Sequence, residues 1–375
     1  MERKFKKIKI GYSIPNFDTA GSGKALLKIA TKLDRNIFEP HIICMHSRGA
    51  FFKEVEKSGI PIHIIQYTTP MKPYIKGFLY SFKIAKQLKK IGLDIIHSFH
   101  YSADYSEPLA SKIAGIKWIY TKKNMNWGGS SANSWKIRTF LANHVIYQNT
   151  DMKKNFFPKL KKTTLISRGV DINEFYPAEK NENLLNKHQI NATDRLIVIV
   201  ANLVPLKGVD LLIKAFQDSK VYLNDWKLLI VGDNNNKYGK ELQQLVKEKE
   251  LTSKIIFVGK VLNVKEYLNL AEIFVLPTIF KGEGSPVALL EAMATGLCVL
   301  GSNLPGIKDQ LSKYENHLVE AGNLKKWTDT IEAYCNNTVE VNAKFGKQFL
   351  NQILNEYTLE KEVVKTEQVY LNVLK

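Results

Sequence analysis

The segment FKGEGSPVALLEAMATGLCVLGS at 280–302 gathers the residue types that bind a charged, hydroxylated ligand. Gly282 and Gly284 let a backbone approach a ligand closely. Ser285 followed by Pro286 reads as the N-cap and first residue of a helix, whose exposed N–H groups would receive a phosphate. Glu283 stands before that helix and Glu291 about a turn and a half inside it. Carboxylates on either side of a phosphate cradle suit vicinal hydroxyls. The ligand implied is a phosphate centre with a sugar on each side, which is a nucleotide sugar. An ordinary capped helix with two solvated glutamates would carry the same residues. Lys207, in ANLVPLKGVDLL, starts a helix directly after a strand and falls on the same sheet edge. Its charge can neutralise a diphosphate there; a merely exposed lysine at a helix start would oppose the helix dipole.

Such residues need parallel strands that end at one edge. In the first half, IKIGYSI (8–14), PHIICM (40–45), IHII (62–65), DIIHSF (94–99), WIYT (118–121) and HVIYQN (144–149) read as strands. Stretches of helical spacing lie between them. A second series starts near residue 195 with RLIVIVANL and runs through WKLLIVGD, KIIFVG, IFVLPT and CVLGS. Strand–helix alternation predicts an α/β protein with two doubly wound parallel sheets facing across a cleft. The polar run YPAEKNENLLNKHQINATD breaks the pattern. It sets the expected domains at 1–180 and 181–355, with a helix over 356–375 too long to be left unpacked and expected back on the N-terminal domain.

The 375 residues are 45% hydrophobic and 24% charged, which excludes disorder, and no apolar run reaches membrane-spanning length. Three scattered cysteines (Cys44, Cys298, Cys335) predict neither a disulfide framework nor a metal site, and a reducing compartment. The net charge of +18 raises a nucleic-acid reading. All of the excess falls in residues 1–180, and it is almost entirely lysine, whereas base and phosphate forks favour arginine. Diffuse attraction to an anionic surface fits better. MKPYIKGFLYSFKIAKQLKKIG (71–92), with FFPKLKK (156–162), interleaves lysines with aromatic and aliphatic residues. It reads either as a helix lying on an anionic bilayer or as one packing its apolar face on the sheet.

E-x7-E between Glu283 and Glu291, with PLKG upstream, IVGD at 230–233, FVGKV at 257–261 and LISRGVDINEFYP at 165–177, resembles glycosyltransferase family 4. These are the retaining, metal-independent enzymes of the GT-B fold, with two Rossmann-like domains. The resemblance covers most of the chain. It implies a nucleotide-diphosphate sugar, UDP- or GDP-linked, as co-substrate, with no other cofactor. Glu291 would then bind ribose hydroxyls and Glu283 the transferred sugar. Backbone amides at Gly284, Ser285 and Val287 would meet sugar and phosphates, Lys207 the diphosphate, and Gly232 and Val258–Lys260 the nucleobase. The chain departs from the family at Asn202, where an arginine is usual. Arg168 and Lys281 are the candidate replacements, or catalysis is weaker.

The N-terminal half is less prescriptive. Gly21, Ser22 and Gly23 read as a glycine turn between the first strand and first helix, facing the diphosphate or serving as a plain tight turn. GSGK lacks the first glycine and the final Ser/Thr of a P-loop. His100, then His97, end the fourth strand and are candidates to face the transferred sugar, with a core role open for His97. KKNMNW (122–127) is a candidate acceptor lining. The function expected is hexosyl transfer to a lipid-linked or polysaccharide acceptor at the inner face of the cell membrane, for a capsule or lipopolysaccharide. A nucleotide-sugar epimerase on the same scaffold and a basic nucleic-acid-binding protein are the alternatives.

Overall fold

The computed structural model describes residues 6–18, 20–49, 51–126 and 131–375. The chain divides into two compact units, one of residues 1–167 with 359–375 and one of 168–358. Residues 168–180, read from the sequence as the end of the first domain, pack with the second unit. Val170 bridges to Thr358, and Phe175 joins the second unit's core.

In the first unit, strands β1 (Ile8–Ser13), β2 (Phe38–Cys44), β3 (Ile62–Ile64), β4 (Ile95–Ser98), β5 (Lys117–Lys122), β6 (His144–Tyr147) and β7 (Thr163–Leu165) form one sheet. It is parallel throughout, in the order β3-β2-β1-β4-β5-β6-β7. Successive residues face opposite sides. Ile10, Tyr12, Ile95 and Ile119 pack towards the helices Ala20–Lys32 and Leu359–Leu374, whereas Ile96, Trp118 and Val145 pack towards Tyr74–Ile91 and Ala132–Leu141. The C-terminal helix is therefore a core element of this unit. Its Leu359, Val363 and Tyr370 are buried, and the Tyr370 hydroxyl donates to that of Tyr12 at 3.0 Å.

The second unit holds β8 (Arg195–Val200), β9 (Trp226–Val231), β10 (Ile255–Gly259), β11 (Ile273–Leu276), β12 (Cys298–Ser302) and β13 (Leu318–Val319). They too are all parallel, in the order β10-β9-β8-β11-β12-β13. Near-continuous Val, Ile and Leu in β8 and β9 suit strands covered on both faces. Leu196 and Val198 face one helical layer, Ile197 and Ile199 the other. In each sheet the strand order reverses beside its first strand, between β1 and β4 and between β8 and β11. Such a reversal is the place where parallel sheets hold ligands.

Candidate functional site

In the second unit, the loops after β8 and β11 carry the candidate residues to that reversal. After β8, Asn202 is exposed and Pro205–Lys207 form a single 3-10 turn, closed by Gly208 at φ +65°. Lys207 thus precedes the helix Val209–Asp218 rather than starting it. Only glycine fits at 208, since a Cβ would sit 2.2 Å from the Pro277 carbonyl oxygen. That tight crossing brings the two loops together. Ile279 N–H donates to the Leu206 carbonyl at 3.0 Å, and Lys207 Nζ reaches Glu283 Oε2 at 2.7 Å. Thr278 Oγ1 donates to the other carboxylate oxygen of Glu283 at 2.8 Å.

The loop from Phe280 to Pro286 is bent by two consecutive left-handed residues, Lys281 at φ +62° and Gly282 at φ +73°. Lysine in that conformation is uncommon and marks imposed geometry. From below, Gly306 (φ +83°) supports the loop: a Cβ there would meet the Glu283 carbonyl oxygen at 2.5 Å and that of Gly284 at 2.8 Å.

The helix that follows runs Val287–Ala294, with Pro286 as N-cap and no side-chain cap. This corrects the expected Ser285 cap. The Ser285 hydroxyl is committed elsewhere, accepting from Arg168 N–H at 3.1 Å and Gln310 Nε2 at 2.9 Å. Proline cannot accept with its side chain, so no side chain of its own cap serves the helix's first amides. Val287 and Glu291, four apart, share the helix's outward stripe, while Leu289, Leu290, Ala292 and Met293 are buried. Of the two candidate replacement cations, Arg168 is buried with its backbone tied to Ser285, and Lys281 is exposed over the Phe280 ring.

Gly232 follows β9. Its N–H donates to the Gly259 carbonyl at 3.0 Å, and a Cβ would meet the Ala201 carbonyl oxygen at 2.1 Å. The carboxyl ends of β8, β9 and β10 are thereby stitched together, with exposed Lys260 directly after them. Lys207, Glu283, Gly284, Ser285, Val287, Glu291, Asn202, Gly232 and Lys260 all lie along this one edge.

The first-unit candidates fare differently. Gly21, Ser22 and Gly23 are in the first turn of the helix Ala20–Lys32, not in a turn before it. At Gly23 a Cβ would press on the Phe17 ring at 2.8 Å, so packing explains that glycine. Ser22 Oγ accepts from Lys123 Nζ at 3.0 Å. His97 is 1% exposed, its Nδ1 2.7 Å from the Tyr370 hydroxyl and its Nε2 2.8 Å from Thr121 Oγ1. Both ring nitrogens are used inside the core, so His97 holds the sheet to the C-terminal helix and does not face a ligand. His100 follows β4, edge-on to Tyr67 with ring centroids 5.8 Å apart. Burial, reinforced by the Arg138 guanidinium, pushes its pKa down to about 4 and keeps the ring neutral.

Beneath His100 lies a polar core that the sequence reading missed. The fully buried Glu107 accepts from Ser13 and Ser98, the last residues of β1 and β4, and pairs with Arg138 at 3.4 Å. Arg138 in turn donates to the carbonyls of Asp104 and His100. Lys122, expected among acceptor-lining residues, is instead buried, its amine donating to the Asn124 and Asn126 carbonyls and standing 4.6 Å from the Phe156 ring centroid. Desolvation pushes its pKa down to about 7. Trp127 lies outside the described residues. Among the described residues no three His, Cys, Asp or Glu stand close enough to hold a metal, and no helix is long and apolar enough to cross a membrane.

Comparison with known proteins accords with this geometry. Residues 180–351 match the model for glycosyl transferases group 1, and residues 19–174 that for Glycosyltransferase Family 4. An uncharacterized glycosyltransferase of Haemophilus influenzae is 26% identical, over 88% of this chain and 91% of its own length. The capsular polysaccharide biosynthesis glycosyltransferase CapH of Staphylococcus aureus is 24% identical over 87% and 90%. UDP-Gal:alpha-D-GlcNAc-diphosphoundecaprenol alpha-1,3-galactosyltransferase of Escherichia coli is 23% identical over 80% and 81%. Among solved structures, a glycosyltransferase of Rickettsia africae superposes with a TM-score of 0.87 at 21% identity, covering 99% of this chain and 100% of its own. Anabaena HepE in complex with UDP and glucose gives 0.82 at 17%, covering 97% and 99%. Both share the fold of two Rossmann-like domains termed GT-B. Neither the epimerase nor the nucleic-acid alternative is favoured.

Proposed function

The chain belongs to the group 1 and Family 4 glycosyltransferases, and from that premise we propose that it transfers a sugar from a nucleoside-diphosphate donor to a lipid-linked or polysaccharide acceptor with retention of configuration, in cell-surface glycan assembly. One observation carries the reading: Lys207 and Glu283 meet at 2.7 Å across the two loops that flank the sheet's reversal, just ahead of the helix Val287–Ala294. An ammonium has three donors. With one held by Glu283, Lys207 is oriented and still has protons for a diphosphate. The amides around Gly284–Val287 add the positive end of a helix. Glu291, on the outward stripe below Val287, suits the ribose hydroxyls, and Glu283 the transferred sugar.

Transfer then needs no side-chain base. The bond from the sugar's anomeric carbon to the diphosphate breaks, and a bond to the acceptor oxygen forms on the same face. The departing phosphate oxygen takes the acceptor's proton. Lys207 and the helix amides stabilise the charge that develops on that phosphate, as preorganised donors do. A neutral His100 agrees with this, since at neutral pH it has no proton to give beyond its one N–H. No step requires a metal. The relatives that name capsule and diphosphoundecaprenol glycans support a lipid-linked acceptor, UDP before GDP as donor, and work at the inner face of the membrane. Product NMR tests the stereochemistry. An α-linked donor should give an α-linked product and remain unchanged when acceptor is omitted; a β-linked product, or conversion of the donor alone, contradicts the proposal.

A further inference from the structure

The helix Tyr74–Ile91 has 18 residues and no carboxylate. Of the two sequence readings of this segment, the packed face is seen directly. Gly77, Ser81, Ile84, Ala85 and Leu88 form a buried inner stripe, Ile84, Ala85 and Leu88 packing on the sheet and Gly77 and Ser81 against Met71. A second apolar stripe points outward: Ile75, Phe78, Leu79 and Phe82, spaced i, i+3, i+4, i+7, are 80%, 46%, 63% and 48% exposed. The Phe78 and Phe82 rings touch edge-on, 5.0 Å between centroids, and Tyr74 and Tyr80 flank them in the open. The fold does not need this stripe, and water opposes it.

Charge indicates what covers it. Lys76, Lys83 and Lys90, seven apart, run along one flank, and Lys86 and Lys89 continue the outer stripe beyond Phe82. A second copy of the chain would set these lysines against their own symmetry mates. An anionic bilayer instead receives rings and aliphatic groups at the acyl boundary while lysine stems reach its phosphates. From Ile75 to Phe82 the apolar stripe is roughly 10 Å long at ~1.5 Å per residue, short enough for one patch in the interfacial layer. The unit that presents it has 32 lysines and arginines against 13 carboxylates, hence +19.

We propose that the outer face of Tyr74–Ile91 docks the protein on an anionic lipid bilayer, with Ile75, Phe78, Leu79 and Phe82 at the acyl boundary and the flanking lysines among the headgroup phosphates. This deepens the lipid-linked acceptor reading and is tested apart from it. Full-length protein is sedimented at ~0.1 M salt with vesicles of phosphatidylcholine alone or with about a third phosphatidylglycerol. The wild type should pellet with the anionic vesicles only. Phe78→Ser/Phe82→Ser should weaken that binding at least ~10-fold, as should Lys83→Gln/Lys86→Gln/Lys89→Gln/Lys90→Gln, with thermal midpoints and donor binding unchanged. No pelleting of the wild type, equal pelleting on neutral vesicles, or a concentration-dependent dimer lost in the Phe78→Ser/Phe82→Ser variant would each overturn the proposal. Vesicle binding without nucleotide binding would refute the transferase reading alone; the converse would refute docking alone.

Discussion

At the scale of residues, the contact between Lys207 and Glu283 makes their roles inseparable. Removing either leaves the other charge half-buried and misplaced, so the two substitutions should not add. Lys207→Ala and Glu291→Ala should each lower transfer at least ~100-fold, as expected on losing a preorganised electrostatic contact. A Lys207→Ala/Glu283→Ala cycle should show a coupling of roughly 0.5–3 kcal/mol; activation free energies that simply add would mean that the pair does not act as a unit in transfer. That Lys207 and Glu283 share one sheet edge was legible because the strands ahead of them are strongly apolar. Gly306 and Gln310, which hold Glu283 and Ser285, were not, because they act from beyond β12; Thr278 is local to Glu283, but its hydroxyl carries no pattern that names a partner. The Pro305–Gly306 pair after β12 is a turn signal, but it does not say what the turn touches. His97 was misread for a related reason. Its strand-end position was visible, but Tyr370, the partner that claims its Nδ1, lies 273 residues away.

At the scale of elements, loops that cross at glycine build the site. Gly306→Ala should both strain a left-handed residue and push on the backbone of Glu283 and Gly284. We expect a loss of at least ~1 kcal/mol in stability and a larger proportional loss of donor affinity than of midpoint temperature. Unchanged donor affinity would mean that this support is idle. The alternation of strands and helices showed β1–β6 and β8–β12 in the sequence. It missed β7, whose Thr-Thr-Leu is not an apolar run, and β13, whose two residues are too short to display a period. The C-terminal helix was expected to return to the first unit on the strength of its length. The structure adds the reason: Tyr370 fills the space beside Tyr12, Phe38 and His97.

At the scale of the whole molecule, the net charge resolves into +19 on the first unit and −1 on the second, which has 22 basic and 23 acidic residues. The near-neutral unit carries the proposed anion site, with Lys207 and a helix terminus; the basic unit carries the exposed apolar helix face. Acid should destabilise the protein. Burial lowers the pKa values of His41, His63, His100, His144, His188 and His317. Below about pH 6.5 the unfolded chain binds protons that the folded one refuses, so stability falls as pH drops towards the folded values. The thermal midpoint should be several degrees lower at pH 5.5 than at 7.5, and an equal or higher value at 5.5 would contradict this. The central claim, a nucleoside-diphosphate site at the ends of β8 and β11, is tested most directly by titrating nucleoside diphosphates into the wild type and Glu291→Ala in a calorimeter. One nucleoside diphosphate should bind the wild type, and Glu291→Ala, still folded, should lose at least ~10-fold in affinity. Equal affinity in the two proteins, or no binding of any nucleoside diphosphate to the wild type, would contradict it.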